Sequence, residues 1–312
     1  MNQHPDPSRL TGESATLPRG GGAALSASRR LHVIFHIPRC AGQTIHHHLS
    51  QHVSAEKYFR VPKRRGLGRL VLSKYQIGGM PSPRKLDVVG GHWVGRSIER
   101  NFQGRDIVRS ILLRDPVSQF LSHYNYRMMR YLSQGLRPYS VDIAYRARGP
   151  DFLTHFVLNT FAEIPRPRLV LMTSAEKYAQ ANRFLSSFAF VGDHTRCDEL
   201  IARLAGDLGI PERASLRNTS DQWLERVPWT PLGESDLSRS MIASIRQDNE
   251  LDQILWETWR AAGEGPLEPA PHEFAQEAQT KRLTRHASRL VNQVRRRVRR
   301  RWTGPDASVG SS

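Results

Sequence analysis

The stretch VIFHIPRCAGQTIHHHL, residues 33–49, decides the fold predicted for this chain. Its apolar start is typical of a buried strand, Pro38 ends that strand, and Gly42 and Thr44 stand where a helix would begin. A tight turn between a strand and a helix presents backbone amides at the positive end of the helix dipole, which suits an anion. The G-x-x-x-x-G-K-[ST] spacing of the common phosphate loop is absent, so the motif does not indicate ATP or GTP.

Strands and helices are predicted to alternate along the rest of the chain, which favours an α/β fold with a parallel sheet covered on both faces. Short apolar runs predict strands at 31–37, 86–91, 106–113 and 188–192. Helical spacing predicts helices at 43–53, 116–133, 151–161, 174–185, 196–208, 236–247 and 249–262. Acidic Asp198 and Glu199 fall in the first turn of one of these helices, where they complement its dipole.

Composition divides the chain into three parts. Residues 1–30 are rich in Pro, Gly and Ser and predict a flexible lead-in, residues 31–264 a single domain, and residues 265–312 a linker and a basic tail. No apolar run approaches the roughly 18 residues that span a membrane, and the N-terminus lacks the apolar stretch of a secretory signal. Two cysteines cannot form a disulfide framework, so a cytoplasmic protein is expected.

Basic charge is concentrated in two places. The net charge is +17, and residues 281–301 supply ten Lys and Arg with no acidic residue. Leu290, Val294 and Val298 form a narrow apolar stripe in this tail, which indicates peripheral contact with an anionic membrane. Nucleic acid, a less favoured partner, and an inert tail remain alternatives. A second acid-free basic segment, residues 57–74, lies between two predicted strands, where loops often line a site.

A second anion-binding site, besides the turn at residues 38–44, is predicted in ILLRDPVSQFLSHYNY, residues 111–126. Arg114 stands where a strand ends, Pro116 where a helix begins, and Ser122 two turns into that helix on the face of Ser118. An arginine and a hydroxyl in these places can hold a phosphate distinct from the one in the first turn. The carboxyl ends of parallel strands share one edge of the sheet, so the two anion-binding sites should lie near each other. Together they suggest a nucleotide phosphorylated at two separate places.

The first predicted anion-binding site, which we call the cradle, is the turn that follows the 31–37 strand together with the start of the next helix. Arg39 offers a fixed cation able to make a bidentate contact, and Thr44 offers a hydroxyl. The alternative is a structural turn with Arg39 at the surface. The predicted cradle residues are Arg39, Cys40, Ala41, Gly42, Gln43 and Thr44.

These residues resemble a known family. HIPRCAGQT is similar to the 5′-phosphosulfate loop of sulfotransferases, and RDPVSQFLSHY to their 3′-phosphate motif with its Arg-x7-Ser spacing. The resemblance is strongest to the carbohydrate-type family that includes heparan sulfate 2-O-sulfotransferases and bacterial relatives, and covers roughly residues 31–260. It implies a P-loop-like three-layer fold, the donor 3′-phosphoadenosine 5′-phosphosulfate (PAPS) and a hydroxyl acceptor, expected to be a carbohydrate. Two residues depart from the family pattern: Arg39 replaces Lys and Gln43 replaces Thr.

The expected catalytic residues are Arg39 and His92. Arg39 would stabilise the leaving phosphate, and His92, at the end of the 86–91 strand, would take the proton from the acceptor hydroxyl. A histidine has an unperturbed pKa near neutrality, and the resemblance also implies a Gly-His base in this region. The alternative for His92 is a strand-end histidine bonded to a backbone carbonyl.

Two other functions compete with the sulfotransferase. A nucleotide-dependent kinase would lack its Walker lysine and a clear acidic magnesium site, while a non-enzymatic protein would bind nucleic acid or membrane through the tail. No metal is expected, because the adjacent His46, His47 and His48 point about 100° apart on a helix. Cys40 sits where a thiolate would be stabilised, but a small packing role is expected of it. Asn218 and Ser220 are expected to close over the nucleotide or to form a polar loop.

Overall fold

The computed structural model describes residues 30–61, 80–214 and 229–260. Five parallel strands in these ranges form one sheet in the order β2-β3-β1-β4-β5. The strands are β1 Arg30–Phe35, β2 Tyr58–Arg60, β3 Val88–Gly91, β4 Asp106–Leu113 and β5 Phe190–Asp193. The predicted α/β class with a parallel sheet is therefore confirmed.

Helices flank the sheet. They are α1 Gly42–His52, α2 Pro116–Leu132, α3 Val141–Ala147, α4 Phe152–Phe156, α5 Arg166–Leu171, α6 Ser174–Leu185, α7 Cys197–Leu208, α8 Arg239–Asp248 and α9 Glu250–Arg260. A π-helical turn, Val157–Phe161, continues α4, and short 3₁₀ segments cover Arg96–Phe102, His194–Arg196 and Glu234–Asp236. No helix in the described ranges is long and apolar enough to cross a membrane.

The four predicted strands and six of the seven predicted helices are present with small shifts at their ends. The predicted helix at 151–161 is wrong in its second half, where the π-helical turn replaces the α-helix. Strand β2 and helices α3 and α5 were not predicted. The flexible lead-in and the basic tail lie outside the described residues.

Strand β1 lies at the centre of the sheet, and its apolar side chains are almost completely buried on both faces. After β1 the chain moves to β2 and β3 on one side, whereas after β4 it moves to β5 on the other. The strand order therefore reverses between β1 and β4, and the crevice at their carboxyl ends is where open α/β sheets bind ligands. The turn after Phe35 and the turn after Leu113 both open at this crevice.

The core on one side of β1 is aromatic. The ring of Phe35 packs edge-on against Phe161 at 5.0 Å and against Phe184 at 5.8 Å, and it also contacts Phe188. Edge-to-face packing of this kind adds to the free energy gained by burial. A rigid β1 holds the turn that follows it in a fixed position.

Helices α4 and α9 cap each other. The Asp252 carboxylate accepts hydrogen bonds from the amides of Leu153 and Thr154, at 2.8 and 2.7 Å. In return, Asp151 Oδ1 accepts a hydrogen bond from the amide of Leu251 at 3.0 Å. Amides in the first turn of a helix have no partner within that helix, so each aspartate satisfies groups that the other helix leaves open.

Candidate active site

The backbone of the cradle is bent in a way that non-glycine residues rarely adopt. Arg39 has φ 70° and Ala41 has φ 56°. Two left-handed residues so close together cost on the order of 1–3 kcal/mol each. The amide of Cys40 donates to the Ile37 carbonyl and the amide of Thr44 to the Ala41 carbonyl, which closes the turn. Strain of this kind is typical of ligand-binding turns.

Helix α1 begins without a side-chain cap. Ala41 stands at the cap position, where it offers no hydroxyl or carboxylate, and the first turn contains no acidic residue. The amides of Gly42 and Gln43 lie in that first turn and therefore have no intrahelical partner. Their partial positive charge is left for an anion. Two of the six predicted amides, those of Cys40 and Thr44, are instead used within the turn.

Arg39 crosses the crevice from the β1 turn to α2. Its Nε donates to the Ser122 hydroxyl at 3.0 Å, and its guanidinium carbon lies 4.9 Å from the centre of the Tyr126 ring. The hydrogen bond and the ring together fix the direction of the side chain. Arg39 is therefore partly buried and attached to α2 rather than lying at the surface, whereas the choice between a structural turn and a binding turn stays open.

Arg114 supports the same turn from β4. Its Nη1 donates to the carbonyl of Arg39 at 3.1 Å, and its Nε donates to the Ser118 hydroxyl at 2.9 Å. The structure thus joins Arg114 to Ser118 and joins Ser122 to Arg39. The residues of the two predicted anion-binding sites therefore contact each other. That Arg114 and Ser122 bind the same phosphate stays a prediction.

The two arginines bring concentrated positive charge to the crevice. In the described ranges, neither guanidinium forms an ion pair with a carboxylate. Burial lowers the pKa of both, and the charge of Arg114 further lowers the pKa of Arg39. Asp193 and Asp115 oppose the shift at Arg114 without pairing with it. An anion with several oxygens would relieve the repulsion between the two guanidinium groups.

Gln119 ties the turn to a further arginine. Its side chain is fully buried, and its Nε2 donates to the carbonyl of Pro38 at 2.9 Å. Its Oε1 accepts a hydrogen bond from Arg148, whose guanidinium carbon lies 4.7 Å from the centre of the Phe152 ring. The turn is thus held from α2 as well as from β4. Gln119, which lies between Ser118 and Ser122 on α2, was not among the predicted site residues.

His92 follows β3 at the same edge of the sheet and is partly buried. Its Nδ1 lies 2.7 Å from the carbonyl oxygen of His36. Because a carbonyl can only accept, Nδ1 carries the proton and Nε2 is the basic nitrogen of the neutral ring. This carbonyl bond is the one that the alternative for His92 predicts, and it fixes the direction of Nε2. A role of His92 as general base stays a prediction.

The remaining cradle side chains differ in character. Thr44 is buried, and Gln43 is exposed with its Oε1 3.1 Å from Nη2 of Arg60. Burial raises the pKa of Cys40 to about 12, because the charged thiolate would be desolvated. Its nearly complete burial fits the packing role that was expected of it.

Two charged residues at this edge of the sheet were not among the predicted site residues. Arg60 ends β2, a strand of three residues that is too short to recognise from alternation. Asp193 ends β5, where its Oδ2 accepts a hydrogen bond from Nε1 of Trp256 at 2.6 Å. Burial would raise the pKa of Asp193, but hydrogen bonds from Thr195 and Trp256 lower it to about 2. The signal that could have found Asp193 is its place directly after a predicted strand.

The three consecutive histidines separate as the helix geometry predicts. His46 Nδ1 lies 2.7 Å from the Tyr58 hydroxyl, whereas His48 Nε2 lies 2.8 Å from the carbonyl of Pro211. Among the described residues, no group of three His, Cys, Asp or Glu side chains could hold a metal ion. Asn218, Ser220 and the part of the basic segment from residue 62 lie outside the described ranges.

Comparisons with known proteins add no assignment to this geometry. No model of a protein family matches the chain, and no curated protein matches it. The residues of the site therefore have to support the function by themselves.

Proposed function

We propose that the protein transfers a sulfuryl group from PAPS to a hydroxyl, most suitably that of a carbohydrate. The observation that carries the proposal is the meeting of Arg39 and Arg114 at the uncapped start of α1, with Ser118 and Ser122 as their partners. Two guanidinium groups without carboxylate partners in the described ranges favour a ligand with two separated anionic groups. PAPS carries such groups at its 5′ and 3′ positions.

The donor would lie across the crevice between β1 and β4. Its 5′-phosphosulfate would take the amides of Gly42 and Gln43, with Thr44 and Arg39 beside it. Its 3′-phosphate would take Arg114 and Ser122 on the α2 side. Arg39, which already contacts Ser122, would then stand between the two anionic groups.

The chemistry needs a base on one side of the sulfur and a cation on the other. Nε2 of His92 would accept the proton of the acceptor hydroxyl while the hydroxyl oxygen bonds to sulfur and the bond from sulfur to the bridging phosphate oxygen breaks. The electron pair of that bond stays on the phosphate of the leaving 3′-phosphoadenosine 5′-phosphate. Arg39 and the cradle amides would stabilise this charge.

Charge around the site bears on the acceptor. Arg60 is exposed at the end of β2. Strand β2 lies beside β3, the strand that His92 follows in the chain. A hydroxyl approaching His92 would therefore approach a positive charge, which favours an acidic acceptor. The basic tail would add contact with an anionic membrane, and this part of the proposal rests on sequence alone.

Transfer of radiolabelled sulfate from PAPS to a panel of neutral and acidic oligosaccharides tests the proposal. We expect labelled product, a loss of turnover of roughly 10²–10⁴-fold in His92→Ala, and nearly unchanged binding of the donor by that variant. A parallel assay with ATP and Mg²⁺ should give no phosphoryl transfer. Phosphoryl transfer that requires Mg²⁺, or nucleotide binding that does not distinguish PAPS from ATP, would contradict the proposal in favour of a kinase.

A further inference from the structure

The side chain of His36 lies between the cradle and His92. It is 3% exposed, and its ring centre is 3.9 Å from that of His92, with the two rings inclined by 31°. The carbonyl of the same residue accepts the hydrogen bond from His92 Nδ1. One residue therefore contacts the proposed base twice, through its backbone and through its ring.

Gly42 leaves the space that the His36 ring occupies. A Cβ atom at position 42 would lie 1.9 Å from Cδ2 of His36 and 2.2 Å from its Nε2. Since Gly42 is the first residue of α1, the ring packs against the start of the helix that carries the cradle amides. His36 is thus the shared neighbour of the anion site and the base.

A histidine at this buried position is costly. Within the described ranges its Nδ1 has no hydrogen-bond partner, and an unsatisfied buried polar atom destabilises a fold by roughly 1–3 kcal/mol. Packing alone would be served better by phenylalanine or leucine. The residue therefore calls for a role other than filling space.

The charges around His36 keep its ring neutral. Burial holds its pKa well below the usual value, and His92, His46, Arg60 and Arg39 each lower it further. His46 is itself kept neutral, because burial lowers its pKa to about 3. When His92 gains a proton, the ring beneath it is therefore an uncharged aromatic face rather than a second cation.

We propose that His36 is a positioning residue that fixes the tautomer of His92 through its carbonyl and stabilises the protonated form of His92 through its ring. An imidazolium over a neutral aromatic face is favoured in the same way as other cation–π pairs. Within the described ranges, His36 and His46 contact each other as rings, with centres 5.1 Å apart. The kinetic part of this inference rests on the proposed function, whereas the effect on the pKa of His92 does not.

The test is an NMR titration of His92 in the whole protein and in two variants at position 36. In His36→Leu the aromatic face is lost, and we expect the pKa of His92 to fall by about half a unit to one unit. In His36→Phe the face is kept, so the pKa should stay within about 0.3 units of the wild-type value. His48→Leu is the matched control, a buried histidine on α1 bonded to Pro211 instead, and should leave His92 unchanged.

The nitrogen signals of His92 report the tautomer in the same samples. The neutral ring should be protonated at Nδ1 in the wild type and in His36→Phe, whose backbone carbonyl is retained. Gly42→Ala must displace the His36 ring and should therefore lower the pKa of His92 as His36→Leu does. An unchanged pKa in both His36→Leu and Gly42→Ala would overturn the proposal, and so would a neutral His92 protonated at Nε2.

Turnover supplies the second measurement. His36→Leu should lower kcat on the order of tenfold with little change in KM for PAPS, well short of the loss expected for His92→Ala. The rising limb of its pH–rate profile should move to lower pH, in the direction of the NMR shift. If wild-type protein transfers no sulfate while the NMR shifts appear, the proposed reaction fails and the positioning of His92 stands. If the protein transfers sulfate but the NMR shifts are absent, the proposed reaction stands and the positioning role of His36 fails.

Discussion

Arg39 Nε lies 3.0 Å from the Ser122 hydroxyl, although 83 residues separate them in the chain. The contact joins the turn after β1 to the second turn of α2 across the crevice where the strand order reverses. Each of the two motifs alone would be an ordinary strand-to-helix connection, and this contact links them. Ligand binding at either motif should therefore depend on the other.

Arg39→Lys separates charge from geometry. Lysine keeps the positive charge but loses the fork that bonds Ser122 and the planar contact with Tyr126. We expect substantial transfer activity from Arg39→Lys, which introduces the residue usual in the family that the sequence resembles, and loss of both donor affinity and turnover from Arg39→Ala. Steady-state kinetics with PAPS measure both. Equal, severe loss in the two variants would show that charge alone is insufficient at this position.

Arg114→Ala tests the second anionic group. A charge-assisted hydrogen bond to phosphate contributes roughly 1.5–3 kcal/mol, so wild-type protein should bind PAPS about 10- to 100-fold more tightly than the analogue without the 3′-phosphate. The variant should lose most of this preference. Calorimetric titration with both nucleotides measures it, and Arg146→Ala, on an exposed site of α3, is the control. Wild-type protein that binds the two nucleotides equally would contradict the assignment of Arg114.

Acid should destabilise the fold well above the range of the carboxylates. Burial lowers the pKa of His46 to about 3 and that of His123 to about 4, and it holds His36 well below its usual value. The unfolded chain takes up protons at these rings below about pH 6.5, and the folded chain does not. The free energy of unfolding should thus be greatest above pH 6.5 and fall by up to about 1.4 kcal/mol per pH unit for each ring as pH decreases toward 4.

Denaturant titrations between pH 4.5 and 7.5 measure this slope. His123→Gln removes one of the three rings and should make the slope shallower by up to one proton. Asp193, whose pKa is lowered to about 2, acts in a separate window below pH 4, where its contribution is lost as it becomes protonated. A free energy of unfolding independent of pH between 4.5 and 6.5 would contradict the burial of these rings.

Asp252→Asn should loosen the mutual capping of α4 and α9. The carboxylate accepts amide hydrogen bonds through both oxygens, and an asparagine side chain would turn an NH₂ group toward one of the two donors. We expect a loss of roughly 1–3 kcal/mol in the free energy of unfolding. Ser238→Ala, which removes an exposed cap from α8, should cost about 0.5–2 kcal/mol. An Asp252→Asn variant as stable as wild type would show that the buried amides find other partners.

The sequence predicted the elements that repeat a strong pattern and missed those that do not. The strand around Val33 is mostly apolar and buried, so it could be placed, whereas β2 has only three residues and runs along the edge of the sheet. Helix α3 has only seven residues and none of them is fully buried, so its apolar spacing is too short to recognise. The π-helical turn after α4 depends on hydrogen bonds that no residue pattern specifies.

For the candidate site, the sequence could place residues at the same edge of the sheet but could not predict which side chains contact each other. That Arg39 and Arg114 would share an edge follows from parallel strands, because their carboxyl ends coincide. That Arg39 rather than Arg114 would bond Ser122 depends on side-chain directions across the crevice, which spacing in the chain does not contain. The contact between His36 and His92 likewise requires the register of β1 with β3.

The mutual capping of α4 and α9 has a consequence for the order in which the chain folds. Leu153 and Thr154 receive their partner from a residue about 100 positions later, and the carboxylate at the end of β5 receives Trp256 from the same final helix. A ribosome-bound chain that has not yet exposed α9 would hold the cradle, α2 and the whole sheet but leave these groups unsatisfied. Because such distant contacts form late, productive folding should follow the emergence of α9, and donor binding should appear only then.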